Sequence, residues 1–368
     1  MTMAAPPVAL PYPLVSRQVI EQLDTQNLTL GGGPLTWELS RVGFLEGLLI
    51  HVTGTLTVST AAAAASPGFP WNVLKRIVLD TPGLADPIAL SGDSLHHQNL
   101  VSHDFSALRQ YGDVPESANA LDDNAYHAAN LYNLAPIAVA ANAWRLWYFL
   151  PVRRNVRDLR GVVPLGNRQQ TRLRITPAAV ADLFNTNTGN VGTTGLTVQV
   201  AQVFRTAPPA GMPAPEYEAA HAIVIDEYEQ SVSATGQLKI EIPTGGVILN
   251  VLHRVFLDDD VYPPAPEGSL DDVSLWVNRD KVVDRVATRM FLFMQNAGRP
   301  QPLPAGTIVH DFDKSAGEIP YIIGGAERAN GWLFSDEVNE LTAWLGIASG
   351  TTLDNARVVT TVKRLVRI

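Results

Sequence analysis

Two stretches of this chain read almost alike: residues 72–80 are NVLKRIVLD and residues 250–258 are NVLHRVFLD. Their offset, 250 minus 72, is 178 residues, close to half of the 368-residue length. A near-repeat at half length points to two similar units in series. Each stretch is dominated by Val, Leu and Ile or Phe, carries a basic pair at its middle, and leads from an acidic residue into a Pro-containing turn (Thr81, Pro82, Gly83; Val261, Tyr262, Pro263). That is the chemistry of a strand running into a loop.

The elements around the repeat support the same division. Each copy is followed by an acidic loop, a short strand and an Asp-capped helix. In the first half the helix is expected over 94–110, with Asp93 or Ser94 as cap and apolar residues at 95, 100, 101, 105 and 108. In the second half it is expected over 280–296, opened by Asp280, with apolar residues at 282, 283, 286, 290 and 293. Short β-branched or aromatic runs fill the rest, among them 35–39, 44–60, 144–152, 193–206, 223–229, 238–242, 273–277, 340–347 and 357–368. Within 44–60, Gly47 and Gly54 are candidate bulges.

Each half thus holds roughly eight strands and one helix. The fold class is all-β, read as two tandem eight-stranded jelly rolls with a short helix inserted in each. An immunoglobulin-like sandwich or another β-barrel pair shares the strand count. The stretch 207–215 (APPAGMPAP) behaves as a stiff extended spacer. The expected domains are an extended N-terminal arm over 1–22, a first jelly roll over 23–206, a proline-rich linker over 207–222 and a second jelly roll over 223–368.

Composition narrows the function. The chain has no cysteine, which excludes a disulfide scaffold, thiolate metal sites and thiol nucleophiles. Charged residues are 17%, well below the usual quarter, so neutral surface has to be covered by something, and subunit interfaces are depleted in charge. A net charge of −9 argues against a general or sequence-specific nucleic-acid binder. The N-terminal stretch, with prolines at 6, 7, 11 and 13, reads as an arm and not as a signal peptide or membrane helix.

Chemistry-bearing motifs are scarce: no Gly-Lys pair, no HExxH and no GxSxG occur. His96, His97 and His103 with Asp104 could approach a metal, and Asp258, Asp259, Asp260, Asp271 and Asp272 could hold Ca²⁺, but solvated or hydrogen-bonded side chains explain both sets. No catalytic, cofactor or metal residue is assigned. Charge, however, segregates. Arg153, Arg154, Arg157, Arg160, Arg168, Arg172 and Arg174 fall within 22 residues that hold one acidic residue, Asp158. They are the candidates for a subunit interface or a surface facing anionic lipid, against the plainer reading of charged strand edges.

Tandem jelly rolls, a proline-rich joint, one helix per half, an extended arm and no active-site motif together resemble the double jelly-roll major capsid proteins of tailless, internal-membrane phages of the tectivirus type. The segment YFLPVRRNVRDLRGVVPLG, residues 148–166, looks like the strand, basic turn and strand late in that family's first jelly roll. The resemblance implies a homotrimer of pseudo-hexagonal outline, since two similar domains times three give six near-equivalent edges. It also implies neighbouring capsomers and penton or minor capsid proteins as partners, termini directed to a viral membrane, no enzymatic activity, and a place in a virion shell assembled in the host cytoplasm. The alternative from the residues is a two-domain β-sandwich enzyme or lectin acting on glycans.

Overall fold

A computed structural model of the chain describes residues 16–66, 68–81, 84–101, 121–122, 139–154, 158–166, 171–207, 220–257, 266–296, 303, 306–312, 333–334 and 338–368. The longer strands of the first half are β1 (Gln18–Gln22), β3 (Leu35–Glu38), β4 (Phe44–Val58), β5 (Leu74–Thr81), β6 (Leu84–Leu90), β8 (Ala140–Pro151), β10 (Arg172–Pro177) and β11 (Val191–Arg205). Those of the second are β12 (His221–Ser231), β13 (Gly236–Ile242), β14 (Val247–Phe256), β15 (Leu270–Val277), β16 (Asp280–Ala287), β17 (Thr307–Asp311), β19 (Leu341–Ile347) and β20 (Arg357–Arg367). Four two-residue strands, β2 (Gln26–Asn27), β7 (Leu121–Asp122), β9 (Val163–Pro164) and β18 (Leu333–Phe334), pair alongside them.

The pairing orders are β1-β11-β4-β8 and β3-β10-β5-β6 in the first half, β12-β20-β14-β17 and β13-β19-β15-β16 in the second. When the longer strands of each half are counted from one to eight, both halves read 1-8-3-6 and 2-7-4-5. Two four-stranded antiparallel sheets in this order make a jelly roll, and the chain is a double jelly roll. A helix follows the fifth strand and precedes the sixth in both: Gly92–Val101 in the first half and Thr288–Asn296 in the second. Each half has its own apolar core, one around Ile50, Val52, Ile77, Trp144 and Tyr148, the other around Val251, Val255, Leu275, Leu345 and Val362. Between them β6 pairs with β12 in parallel, Ile88 opposite Ile225, so one sheet of the first jelly roll runs on into one sheet of the second.

Several expectations are corrected. The near-repeat lies on non-equivalent strands: 72–80 enters β5, the fourth strand of its half, whereas 250–258 enters β14, the third of its own. The true counterpart of β14 is β4, and that of β5 is β15. The slip has a local origin. Residues 280–287, expected as the start of a helix, form β16, and only Thr288–Asn296 is helical. Apolar residues at 282, 283 and 286 suit either period, but Asn278 takes a left-handed φ of 56° and closes a two-residue turn in which Val277 faces Asp280. A β-hairpin turn of that kind, leading into Val282, Val283 and Val286, selects the strand. With one strand read as helix, the count shifts by one and the wrong strands align.

The first helix ends its described part at Val101, and 102–110 lie outside the described residues. Of the expected arm, 1–15 lie outside them, while Gln18–Gln22 form β1 along the edge of β11. Residues 208–219 of the expected linker also lie outside. The register of β4 against β11 shifts beside both glycines proposed as bulges, but the extra residue is Glu46, next to Gly47, at the first and lies on β11, where Gly195 and Leu196 stand opposite Gly54, at the second.

Candidate functional site

With no motif for catalysis, the sites to be explained are where charge and unusual burial gather. The first is the seam between the jelly rolls. The helix Gly92–Val101 is not a surface helix with one apolar stripe: every residue except Asn99 is buried. Asn99 holds it to β8 through both backbone groups of Phe149, donating to the carbonyl at 2.7 Å and accepting from the N–H at 3.0 Å. On the other side lies the outer face of β14 and β17, where Leu252 and Val309 pack with Leu303 against Leu100 and Val101.

The polar contacts of this seam are buried as well. Arg254, 2% exposed, donates from its guanidinium to Asp93 Oδ2 and to Ser94 Oγ. His97 Nδ1 lies 2.8 Å from the Asp93 carbonyl and 3.2 Å from its carboxylate. Ser91 donates through its N–H and hydroxyl to Glu227 Oε2 of β12 at 2.9 and 3.0 Å, and Thr361 Oγ1 of β20 lies 3.2 Å from Ser94 Oγ. A buried ion pair contributes little net stability but costs several kcal/mol when one partner is removed, so it fixes the relative placement of the elements that carry it. Asp93 was legible as a helix cap. Its role in joining the halves was not, because the partner is 161 residues away.

A second buried node sits where the first jelly roll is entered and left. Glu46, fully buried, accepts from Arg153 Nη1 and pairs with Arg205, and Gln18 Nε2 donates to its Oε2 at 2.8 Å. Burial, with the Arg205 charge adding to it, lowers the Arg153 pKa to about 10. Arg17 and Thr206 close the same corner: the Thr206 N–H donates to the Arg17 carbonyl at 2.9 Å, and the Arg17 N–H to Thr206 Oγ1 at 3.1 Å. The segment leading in from the N-terminus and the segment leading out to the second half therefore leave the domain side by side.

The arginine-rich stretch is mostly answered within its own chain. Arg153 serves Glu46. Arg154 and Arg160 both donate to Asp158, at 2.6 Å from Arg154 Nη1 and 2.9 Å from Arg160 Nε. Burial pulls the Asp158 carboxyl up, but the hydrogen bonds from Arg160 and Arg154 outweigh it and lower the pKa to about 2. Arg172 reaches Glu38 at 3.1 Å and Arg174 reaches Asp86 at 3.4 Å, both on the surface of the β3-β10-β5-β6 sheet. The expected basic face is corrected to this extent: Arg153 and Arg154 are buried, and all five described arginines have intrachain carboxylates. The cause is folding of β4, β8 and the turn after it around the acidic residues, which the linear sequence scatters. Arg157 and Arg168 lie outside the described residues.

The histidine and aspartate sets resolve differently. His96 stacks on Trp71 with centroids 3.8 Å apart, His97 belongs to the seam, and His103 and Asp104 lie outside the described residues. Of the acidic loop, Asp258, Asp259 and Asp260 lie outside as well; Asp272 accepts from Gln237 Nε2 at 3.1 Å. Among the described residues no group of three or more His, Cys, Asp or Glu side chains is placed to hold a metal ion, and no helix is long and apolar enough to cross a membrane. A buried imidazole pair was missed by sequence reasoning. His253 and His310 lie in the core of the second jelly roll, ring centroids 5.6 Å apart, with Phe291 of the second helix 5.3 Å from His310. Burial, aided in His253 by the His310 charge, pushes His253 well below the usual imidazole range, and burial lowers His310 to about 3.

No protein-family model matches the chain, and no curated protein matches it. Solved structures do. The chain is similar to the major capsid protein of Sulfolobus turreted icosahedral virus, with a TM-score of 0.67 and 14% identity, covering 95% of this chain and 97% of that one. It is similar to a PBCV-1 virus capsid chain (TM-score 0.58, 13% identity, 97% and 95% covered) and to the major capsid protein P2 of bacteriophage PM2 (0.53, 9%, 95% and 98%). At such identities the likeness speaks for the fold, and it runs through both jelly rolls.

Proposed function

We propose that this chain is a structural capsid subunit, the major shell protein of an icosahedral virus, and that it works by self-assembly without catalysis. One observation carries the reading: the double jelly roll matches a viral major capsid protein along 95% of this chain and 97% of that one, leaving no sizeable part of either for another task. The low charge fraction supports it, since much neutral surface awaits a partner. The finer reading is a homotrimer of pseudo-hexagonal outline, because two like domains per chain offer six near-equivalent edges in a closed three-fold ring. Neighbouring capsomers and penton or minor capsid proteins would be its partners, an internal membrane would lie beneath its termini, and assembly would proceed in the host cytoplasm.

We place the first jelly roll at 18–206 and the second at 221–368, their first strands β1 and β12 beginning before the expected limits of 23 and 223, with the arm and the linker outside them. The corner built on Glu46, Arg17 and Thr206 supports a shared exit for arm and linker. In the arginine-rich stretch, Arg172 and Arg174 retain the exposure that a subunit-facing or membrane-facing role requires, and their pairs with Glu38 and Asp86 are of the weak surface kind that a partner could replace. The test is light scattering on the purified full-length chain, followed by electron microscopy of concentrated samples. A mass three times the 39.8 kDa of one chain, and shells or sheets of capsomers, are expected. A chain that stays monomeric at high concentration overturns the proposal, and binding or cleavage of a glycan by that monomer would replace it.

A further inference from the structure

The two jelly rolls of one chain are joined edge to edge. The fifth strand of the first half, β6, pairs in parallel with the first strand of the second, β12, through Ile88 opposite Ile225 and Ala89 opposite Asp226. The counterparts of these two strands are β16, fifth of the second half, and β1, first of the first half. Among the described strands each of them is the last of its sheet. Every chain therefore carries one joined pair of edges, and both members of an equivalent pair that is not joined within the chain.

The donating edges agree in detail. In β6, Asp86 takes a left-handed φ of 35°, the register against β5 shifts there, and the residues between this break and the helix, Ile88 and Ala89, are the ones that pair outward. In β16, Arg285 takes a left-handed φ of 48°, the register against β15 shifts beside it, and Val286 and Ala287 follow before the helix at Thr288. A bulge ordinarily guards an edge. In β6 it leaves the last residues of the strand able to pair, and β16 has the same build. Ile88 is buried in its joint, whereas Val286 is half-buried and Ala287 exposed.

The receiving edges agree as well. Ile223, the third residue of β12, stands opposite Leu365 and is buried with Ile225 in the apolar core cluster of the first half. The third residue of β1 is also an isoleucine, Ile20, opposite Val203, and it is 63% exposed. The Leu23 N–H donates to the Val200 carbonyl at 2.8 Å, and the Arg17 carbonyl accepts from the Thr206 N–H at 2.9 Å. Odd-numbered residues thus bond to β11, and Gln18, Ile20 and Gln22 turn their N–H and C=O groups outward. Ile225 is the fifth residue of β12, and Gln22 is the fifth of β1. Setting Val286 opposite Gln22 in parallel brings Arg285 beside Glu21, and these charges are complementary. Arg285 is exposed and makes no ion pair among the described residues; Glu21 is exposed and accepts from Ser40 and Gln202 through Oε2.

We infer that the end of β16 in one copy, Val286 and Ala287, pairs in parallel with β1 of the next copy, repeating between chains the joint that unites the halves within a chain. The occupant of each edge is a second copy of this protein, and Ile20 is the apolar residue that the contact covers. The contact is heterologous, β16 to β1, so it propagates round a ring that closes when the rotation allows. This assignment rests on the assembly reading above and specifies which edges perform it.

The absence of cysteine permits a direct test on the full chain. A chain carrying both Gln22→Cys and Ala287→Cys is oxidised at concentrations where the wild type is trimeric. Disulfide-linked dimers and trimers are expected on a non-reducing gel, and only single chains from either single variant. In parallel, Ile20→Asp should lower the mass from three chains to one, while Ile20→Val keeps three. The thermal transition of the isolated Ile20→Asp chain should match that of the isolated wild-type chain, because Ile20 lies outside both cores. A trimeric double variant without linked chains, linkage through either single variant, or a trimeric Ile20→Asp chain would overturn the inference and leave the assembly reading intact. A monomeric wild type would overturn both.

Discussion

The stretches NVLKRIVLD and NVLHRVFLD differ at three positions of nine, and their basic pairs have opposite fates. In β5, Lys75 and Arg76 are exposed, and Lys75 reaches Asp182 across the surface at 3.0 Å. In β14, His253 and Arg254 are both buried, one in the core of the second jelly roll and the other in the seam. The motif codes for a strand in both places. Its side chains take their roles from the strand's position: β5 is the fourth strand of its half, with a face open to water, whereas β14 is the third strand of its own, with one face on its core and the other on the first jelly roll.

The two copies differ most at their arginines. Arg254→Met leaves Asp93 buried without its cation and is expected to cost about 3–5 kcal/mol. Arg76→Met at the matching position should stay within about 0.5 kcal/mol. Urea unfolding of the two variants measures both, and Asp93→Asn added to Arg254→Met should recover part of the loss. Similar losses at 76 and 254 would show that the seam pair does not hold the halves.

The histidine of the motif yields an effect that depends on pH. Unfolded imidazoles bind protons near pH 6.5, whereas His310 does so only near 3 and His253 is likewise depressed. The unfolded state therefore binds more protons throughout that window. Stability is full above about pH 6.5 and falls as pH drops, by about 1.4 kcal/mol per unit for each histidine. Melting curves between pH 7.5 and 5 should show this slope, and His310→Gln should roughly halve it.

The smallest effect belongs to Lys75, the counterpart of His253. Its pair with Asp182 joins two well-exposed side chains, and Lys75→Ala is expected to change stability by about 0–1 kcal/mol, less at high salt, as chemical denaturation would measure.

Much of the architecture was legible because strands carry their burial in their alternation. β4, β8, β11 and β20 stand where their β-branched and aromatic runs lie, and both helices follow the strand segments in the expected order, the second over the shorter span Thr288–Asn296. Where the reading failed, two structures satisfied the same local pattern. Val282, Val283 and Val286 fit a helix face and a hairpin alike, and the choice rests on Asn278 and on β15 as partner. The arginine-rich stretch misled for a related reason: charge read along the chain is one-sided, yet Glu46, Asp158, Glu38 and Asp86 neutralise it in space.

The sequence by itself determined what depends on neighbours a few residues away: an all-β chain in two similar halves, turns at Gly, Asn and Pro, no thiol chemistry and a sparsely charged surface. Only the tertiary structure decided which strands are equivalent, which arginines are buried, and that one inserted helix is buried at all but one residue while the other keeps Met290, Phe293 and Met294 exposed. These outcomes turn on pairs such as Asp93 with Arg254 and Glu46 with Arg205, separated by more than a hundred residues. Burial is a property of what comes to lie against a side chain, and no local pattern records a partner that far along the chain.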